Sequence, residues 1–362
     1  MRKNIMLHGA TNWESSNYGD YIYGEMIYNY IQSKSNEFNV KFFQPSDFFI
    51  QNLKKENNNL DFKLNETNGV IYVPGGYFGE GHNARLRDNI IQFIRFMPLG
   101  VYASFKKIPM SVFGIGAGPN TDILMNFGIK RIINNSDCVT VRDHESYESL
   151  KELSNTANII ECFDMILTND FKTDIHSKKI IQLIDKLGYK KILLVHYNHS
   201  KEALEKFAVA VNKFLETNDD YHVVVVSDSL LNYEEEYYQA FKKKINGEST
   251  LFKYSNPDEL TKLIDISSLI LTCKLHLGVV GCILNKSVIA VACHPEKTLR
   301  FYRDIKQSER AISLFDVDSN QIFDLLDKYK DESVQIPKEC LEKSKISWKM
   351  LDNFLVELNE KK

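Results

Sequence analysis

The sequence predicts an α/β fold, two doubly wound, Rossmann-like domains in series facing a cleft. Three observations predict it. Short runs rich in Val and Ile recur along the chain and are apolar at nearly every position rather than at alternate ones. Amphipathic stretches with helical spacing separate them. The alternation pauses once, in the polar stretch Leu167–Ser177, and then resumes. Continuous apolar strands are buried on both faces, and a parallel sheet between helical layers provides that environment. The chain has 362 residues, which suits two domains at about 150 residues each.

In the first half, strands are expected at Asn4–His8, Val40–Gln44, Gly69–Pro74, Met110–Gly114, Cys138–Arg142 and Asn158–Phe163. Helices are expected over Tyr21–Ile31, with Ile22, Met26, Ile27 and Tyr30 on one face, and over Asp122–Ile133, with Ile123, Phe127, Ile129 and Ile132. In the second half, Lys191–His196, Tyr221–Ser227, Thr250–Tyr254, Leu269–Cys273 and Ser287–Ala292 read as strands. Ala203–Leu215, Tyr233–Ile245, Pro257–Ile264 and Leu277–Leu284 read as helices. Pro257 suits a first helical position and Asn256 a cap. The tail Pro337–Lys362 reads as one amphipathic helix with Trp348, Leu351, Phe354 and Leu358 on a face. The expected domains are 1–172 and 173–336, with 337–362 as a helix that either crosses back to the first domain or supports a homo-oligomer.

Composition removes several function classes. The net charge is -3, from 45 basic and 48 acidic residues, so bulk charge does not suit a nucleic-acid grip. No run reaches the roughly 20 apolar residues that span a bilayer, and the first apolar run is too short for a secretory leader. The six cysteines form no C-x-x-C pair, and several lie in apolar runs. Buried thiols in a reducing cytoplasm fit this pattern better than a disulfide framework or a zinc site. No H-E-x-x-H or clustered carboxylates suggest a metal, and Glu234–Glu236 reads as a solvated helix face.

In doubly wound folds ligands meet the C-terminal ends of strands, so the strand-to-helix turns are the candidate sites. The first, Gly9–Asp20, ends in Asn17-Tyr18-Gly19-Asp20. Asn17 and Asp20 either cap a helix or meet a ligand that Gly19 lets approach the backbone. The third strand runs into Gly75-Gly76-Tyr77-Phe78-Gly79-Glu80-Gly81, a glycine-rich turn suited to close contact with a ligand or a partner domain. The next strand ends in Gly114-Ile115-Gly116-Ala117-Gly118-Pro119. It lacks G-x-G-x-x-G spacing and lies on a late strand, which excludes NAD and FAD; no G-x-x-x-x-G-K-[ST] loop is present either. Arg142, closing a strand, either holds a carboxylate or phosphate in a forked pair or bridges Asp143 or Glu145.

Lys274-Leu275-His276 follows the buried strand Leu269–Cys273 and opens a helix, whose N-terminus favours anions. Lys297 and Arg300 follow the neighbouring strand. An imidazole there can exchange a proton near neutral pH. His8, His196 and His199 also end or follow strands and are secondary candidates for the cleft.

At these residues the chain resembles the polysaccharide pyruvyl transferase family. The resemblance runs through Asn17-x-Gly19-Asp20, Gly75-Gly76, Gly114-Ile115-Gly116, Val141-Arg142-Asp143 with Ser146, Lys274-Leu275-His276 and Lys297. It implies a GT-B-like fold, with the acceptor on the N-terminal domain and the donor on the C-terminal one. It further implies phosphoenolpyruvate as donor substrate, no cofactor or metal, and a saccharide acceptor, lipid-linked in some systems, pyruvylated on the cytoplasmic side. The product is a pyruvate ketal of a surface or extracellular polysaccharide. His276 is then the catalytic residue. Lys274, Lys297, Arg300, Arg142, Asn17, Gly19, Asp20, Gly75, Gly76 and Gly116 bind substrates. The family's usual Arg before Leu-His is Lys274 here, which keeps the charge and loses the planar two-pronged grip. Two other readings stand beside this one: a GT-B nucleotide-sugar glycosyltransferase, and a catalytically silent family member.

Overall fold

The apolar runs become thirteen strands among the described residues, all of them in two parallel sheets. A computed structural model describes the chain except residues 1, 13–16, 35–36, 54–61, 81–84, 172, 175, 198–199, 228–233 and 361–362. Several features expected from sequence therefore fall outside the described residues in whole or in part: His199, Gly81, Tyr233, parts of the Gly9–Asp20 turn and the Leu167–Ser177 linker, and the last two residues of the Pro337–Lys362 helix. The chain divides into two units. Unit 1 comprises residues 1–16, 20–169 and 341–362; unit 2 comprises 17–19 and 170–340.

Unit 1 contains β1 (Lys3–His8), β2 (Phe38–Phe42), β3 (Gly69–Tyr72), β4 (Gly75–Phe78), β5 (Met110–Ala117), β6 (Cys138–Val141) and β7 (Ile159–Glu161). They lie in the order β2-β1-β3-β5-β6-β7, with β4 paired to β5. The sequence predicts a turn at Gly75–Phe78, and the structure makes it a strand. The reason is register. β3 ends at Tyr72 beside Val112, while β5 continues to Ala117. Gly75 and Phe78 then pair with Ile115 and Ala117, satisfying backbone groups that β3 does not reach.

The core of unit 1 packs Val70, Tyr72, Val112, Ile115 and Val139 against helical Phe96, Leu99, Ile129 and Ile132. Two of its helices, Leu86–Phe96 and Pro98–Lys106, went unassigned from sequence. The last helix, Lys338–Glu360, adds residues 341–360 to this unit and buries Leu351, Phe354, Leu355 and Leu358. Ser347 Oγ donates to Thr140 Oγ1 at 2.9 Å and Ser344 Oγ to the Asp164 carbonyl at 2.8 Å, so polar groups buried under the helix are satisfied.

Unit 2 contains β8 (Lys191–His196), β9 (Tyr221–Val225), β10 (Ser249–Leu251), β11 (Leu269–Thr272), β12 (Ser287–Ala292) and β13 (Ala311–Ser313). Their order is β10-β9-β8-β11-β12-β13. Val195, Val223, Val225, Leu271 and Ile289 meet Phe207, Val211 and Phe214 in its core. The Asn256 side chain caps the helix Pro257–Ile266 by accepting from Glu259 N at 3.0 Å.

Candidate active site

In unit 2 the chain lays β9 and β10 on one side of β8, then β11 to β13 on the other. The reversal between β8 and β11 is the topological switch point, where open α/β sheets bind ligands. His196 ends β8 there. Cys273 N donates to the His196 carbonyl at 2.9 Å, carrying the pairing one residue past β11. Lys274 N then donates to Thr272 Oγ1 at 2.9 Å, and the chain turns into the helix Leu275–Ile283 with Lys274 as its cap in extended conformation. A lysine side chain accepts no hydrogen bond, so it cannot cap the first-turn amides as Asn256 does. Lysine charge, helix N-terminus and the His276 ring thus occupy one turn at the switch point.

Residues 17–19 complete this surroundings of His276. Asn17 Oδ1 accepts from Gly19 N at 2.9 Å, an N-cap for the helix Tyr18–Lys34. Tyr18 is buried, and its hydroxyl meets Thr261 Oγ1 at 2.6 Å. Thr261 Oγ1 donates to the Pro257 carbonyl, which leaves Tyr18 as the donor. A Cβ on Gly19 would stand 2.0 Å from His276 Nδ1 and 2.3 Å from its Cγ. Glycine is required here because the imidazole fills the space a side chain would need.

Lys297 and Arg300 are the third and sixth residues of the helix Pro295–Asp304, which follows β12, the neighbour of β11. Three residues apart, they share a helix face; Lys297 is exposed and Arg300 half-buried. Their helix packs closely on Leu275–Ile283, since a Cβ on Gly278 would lie 2.8 Å from the Tyr302 hydroxyl.

Unit 1 groups the other candidates. A Cβ on Gly116 would lie 2.7 Å from Arg142 Nη2 and 2.8 Å from Cζ, so the guanidinium covers this glycine. The local partner foreseen for Arg142 is present, with Nε 3.6 Å from Asp143 Oδ2. Two residues that sequence reasoning missed join it. Tyr23, hydrogen-bonded to Arg142, donates to Asp164 Oδ2 at 2.6 Å. Burial raises the pKa of the Asp164 carboxyl, against the opposing pull of Arg142. The signal for Asp164 was its setting, an acid between Cys162-Phe163 and Met165-Ile166-Leu167. Ser146 Oγ accepts from Ala117 N at 2.9 Å, and Ser146 N donates to Asp143 Oδ1, tying the end of β5 to the helix His144–Leu153.

The glycines after β3 make their close contacts with their own chain. A Cβ on Gly75 would meet the Tyr77 ring at 2.5 Å, and one on Gly79 the Gly118 backbone at 2.6 Å. Gly76 is exposed on β4. Asp20 sits in the first turn of its helix, where a negative charge suits the dipole. His8 is a core histidine: it is fully buried, its Nε2 meets the Arg95 carbonyl at 3.1 Å, and Phe43 and Tyr72 pack edgewise on it. His196 is likewise buried.

The sequence profile of a family described as polysaccharide pyruvyl transferase matches residues 17–295, from the Asn17 cap to the start of the Lys297 helix. The chain belongs to the polysaccharide pyruvyl transferase family. No curated protein matches it. Among solved structures it is similar to the Neisseria meningitidis UDP-GlcNAc 2-epimerase bound to UDP-GlcNAc, at TM-score 0.64 and 11% identity, covering 99% of this chain and 100% of that one. The Methanocaldococcus jannaschii UDP-GlcNAc 2-epimerase gives TM-score 0.64 at 12% identity, covering 98% and 100%. At such identities the likeness shows the fold alone. That fold is of the GT-B class, two Rossmann-like α/β units, as this family member's sequence predicts.

Proposed function

We propose that this protein transfers the pyruvyl group of phosphoenolpyruvate to two hydroxyls of a saccharide, forming a ketal and releasing phosphate. The observation that carries this reading is the turn after β11, where Lys274, a helix N-terminus and His276 sit at the switch point of unit 2. Phosphoenolpyruvate carries a phosphate and a carboxylate, and this turn offers a cation and backbone donors suited to anions. Lys297 and Arg300 supply further positive charge from the neighbouring helix. Arg142, Asp20, Gly75, Gly76 and Gly116 are assigned to substrate binding on their motif positions alone.

His276 in its protonated form gives a proton to the methylene carbon, leaving an oxocarbenium-like centre. One sugar hydroxyl attacks it and loses its proton to the now neutral imidazole. A second hydroxyl attacks the same carbon and closes the ketal as the C–O bond to phosphate breaks, its proton leaving with the phosphate. With Nδ1 against Gly19, the reading assigns the transfer to Nε2. General acid–base help of this kind is worth about 10²–10⁴-fold.

Calorimetric titration with phosphoenolpyruvate and with UDP, followed by single-turnover transfer to a saccharide acceptor, tests the reading. Phosphoenolpyruvate is expected to bind and UDP is not. Lys274→Ala should weaken binding about 10–100-fold, the worth of a charged hydrogen bond. His276→Gln should keep binding and lose about 10²–10⁴ in the transfer step. Binding of UDP alone would instead support a nucleotide-sugar enzyme, and binding of neither a silent family member.

A further inference from the structure

Three helices of unit 1 leave an apolar face uncovered. On Leu86–Phe96, the residues Leu86, Ile90 and Ile94 recur every fourth position and are 70%, 40% and 66% exposed, with Ile91 beside them. On Ile123–Asn134, Ile123 and Phe127 are 86% and 56% exposed. Phe105, at the end of Pro98–Lys106, is 67% exposed. The helices form one cluster. A Cβ on Gly128 would lie 2.6 Å from Cγ of Met97, the residue joining Leu86–Phe96 to Pro98–Lys106. Arg131 Nε donates to Ser104 Oγ at 2.6 Å, and its guanidinium carbon lies 4.3 Å from the centre of the Phe105 ring. Exposed apolar groups gathered on three mutually packed helices mark an interaction surface rather than scattered surface residues.

Charge distinguishes the occupant. Residues 85–134 carry seven basic side chains and two acidic ones, in a chain whose net charge is -3. Both acids are engaged at helix starts: Asp88 Oδ2 accepts from Arg85 N, and Asp122 Oδ1 from Met125 N. Arg85, Arg87 and Lys130 are exposed beside the apolar face, and Lys106 and Lys107 flank Phe105. A second copy of the chain, docked by a two-fold axis, would set this basic rim against itself. A nucleic acid would leave the apolar centre unmatched. An anionic bilayer surface accepts both, with apolar side chains at the acyl boundary and Lys and Arg among the phosphates. No described helix is long and apolar enough to cross a membrane, and this face needs only to lie on one.

We propose that the face built from Leu86–Phe96, Phe105 and Ile123–Phe127 docks unit 1 onto the surface of an anionic lipid bilayer. The inference stands apart from the proposed chemistry, because its test reads binding and not turnover. The whole chain is sedimented with vesicles of phosphatidylcholine, with and without phosphatidylglycerol, at low and high salt. Binding is expected only with phosphatidylglycerol and should weaken as salt rises. Ile94→Asp with Phe127→Asp should weaken it at least tenfold. Arg87→Gln and Lys130→Gln should each cost about fivefold. All four positions are exposed, so an unchanged circular dichroism spectrum is the control for folding. Equal affinity for both vesicles, no binding to either, or full binding by the double aspartate variant would each overturn the proposal. So would a solution dimer that Phe127→Asp splits, which would give the face to a second copy.

Discussion

Gly19 shows how a short motif residue acts through another side chain. It touches no reacting atom in the proposed chemistry; it leaves room for His276. Gly19→Ala would put a methyl 2.0 Å from Nδ1, so the ring must move. A displacement of about 1 Å costs a transfer reaction about 10²-fold. The expected outcome is a fall in single-turnover rate of that order, with phosphoenolpyruvate affinity and thermal midpoint little changed. His8 gives a prediction of a different kind. Burial lowers its pKa from 6.5 to about 4, with hydrogen bonding to the Arg95 and Phe96 backbone opposing. Between those values the unfolded chain binds more protons than the folded one, so stability is complete above about pH 6.5 and is lost as pH falls toward 4. The loss amounts to about 3 kcal/mol. Urea denaturation across that range should show a shallower pH slope for His8→Gln than for the native chain. The sequence placed His8 second to His276, because His276 shares its turn with Lys274, although both lie at the ends of buried strands. Burial separates them: β1 ends inside an aromatic cluster, while β11 ends at a helix start.

The helix Leu275–Ile283 is short and apolar, and it is held close to its sheet by a glycine. A Cβ on Gly281 would lie 2.7 Å from Ile270 Cδ1 and 2.9 Å from Val288 Cγ2, which come from β11 and β12. Gly281→Val should therefore lift the helix or strain the strands, at about 1–3 kcal/mol. The measurable consequence is a thermal midpoint lower by roughly 3–10 °C. Gly247→Ala is the matched control, because its Cβ would meet only the end of the Leu215 side chain. Elements of this kind were legible in the sequence where periodicity was strong: Lys191–His196 and Ser287–Ala292 begin and end where the apolar runs do. β4 was not legible, because glycines signal turns and the pairing that makes Gly75–Phe78 a strand is set by how far β5 extends. The helices Leu86–Phe96 and Pro98–Lys106 were also missed. Their exposed apolar face breaks the polar-out rule that a periodicity reading relies on.

At the scale of the whole chain, the parallel, doubly wound layering follows from strand-helix alternation, but the strand orders and their switch points do not; those depend on which neighbour each strand chooses. The motif residues after β11 were identifiable because a Lys and a His at the end of an apolar run are chemically conspicuous. The Tyr23–Asp164–Arg142 group was not, because it joins three segments far apart in sequence. Unit 1 itself is assembled from separated segments, and its last contribution, residues 341–362, is made after all of unit 2. On the ribosome the sheet of unit 1 must therefore wait for the stretch from Asp170 to Cys340 before Phe354 and Leu358 reach Phe113 and Gly69. At about 5–20 residues per second that delay is roughly 10–30 s. For that interval a nearly finished sheet lacks its cover, and slower synthesis prolongs the exposure of an aggregation-prone apolar surface.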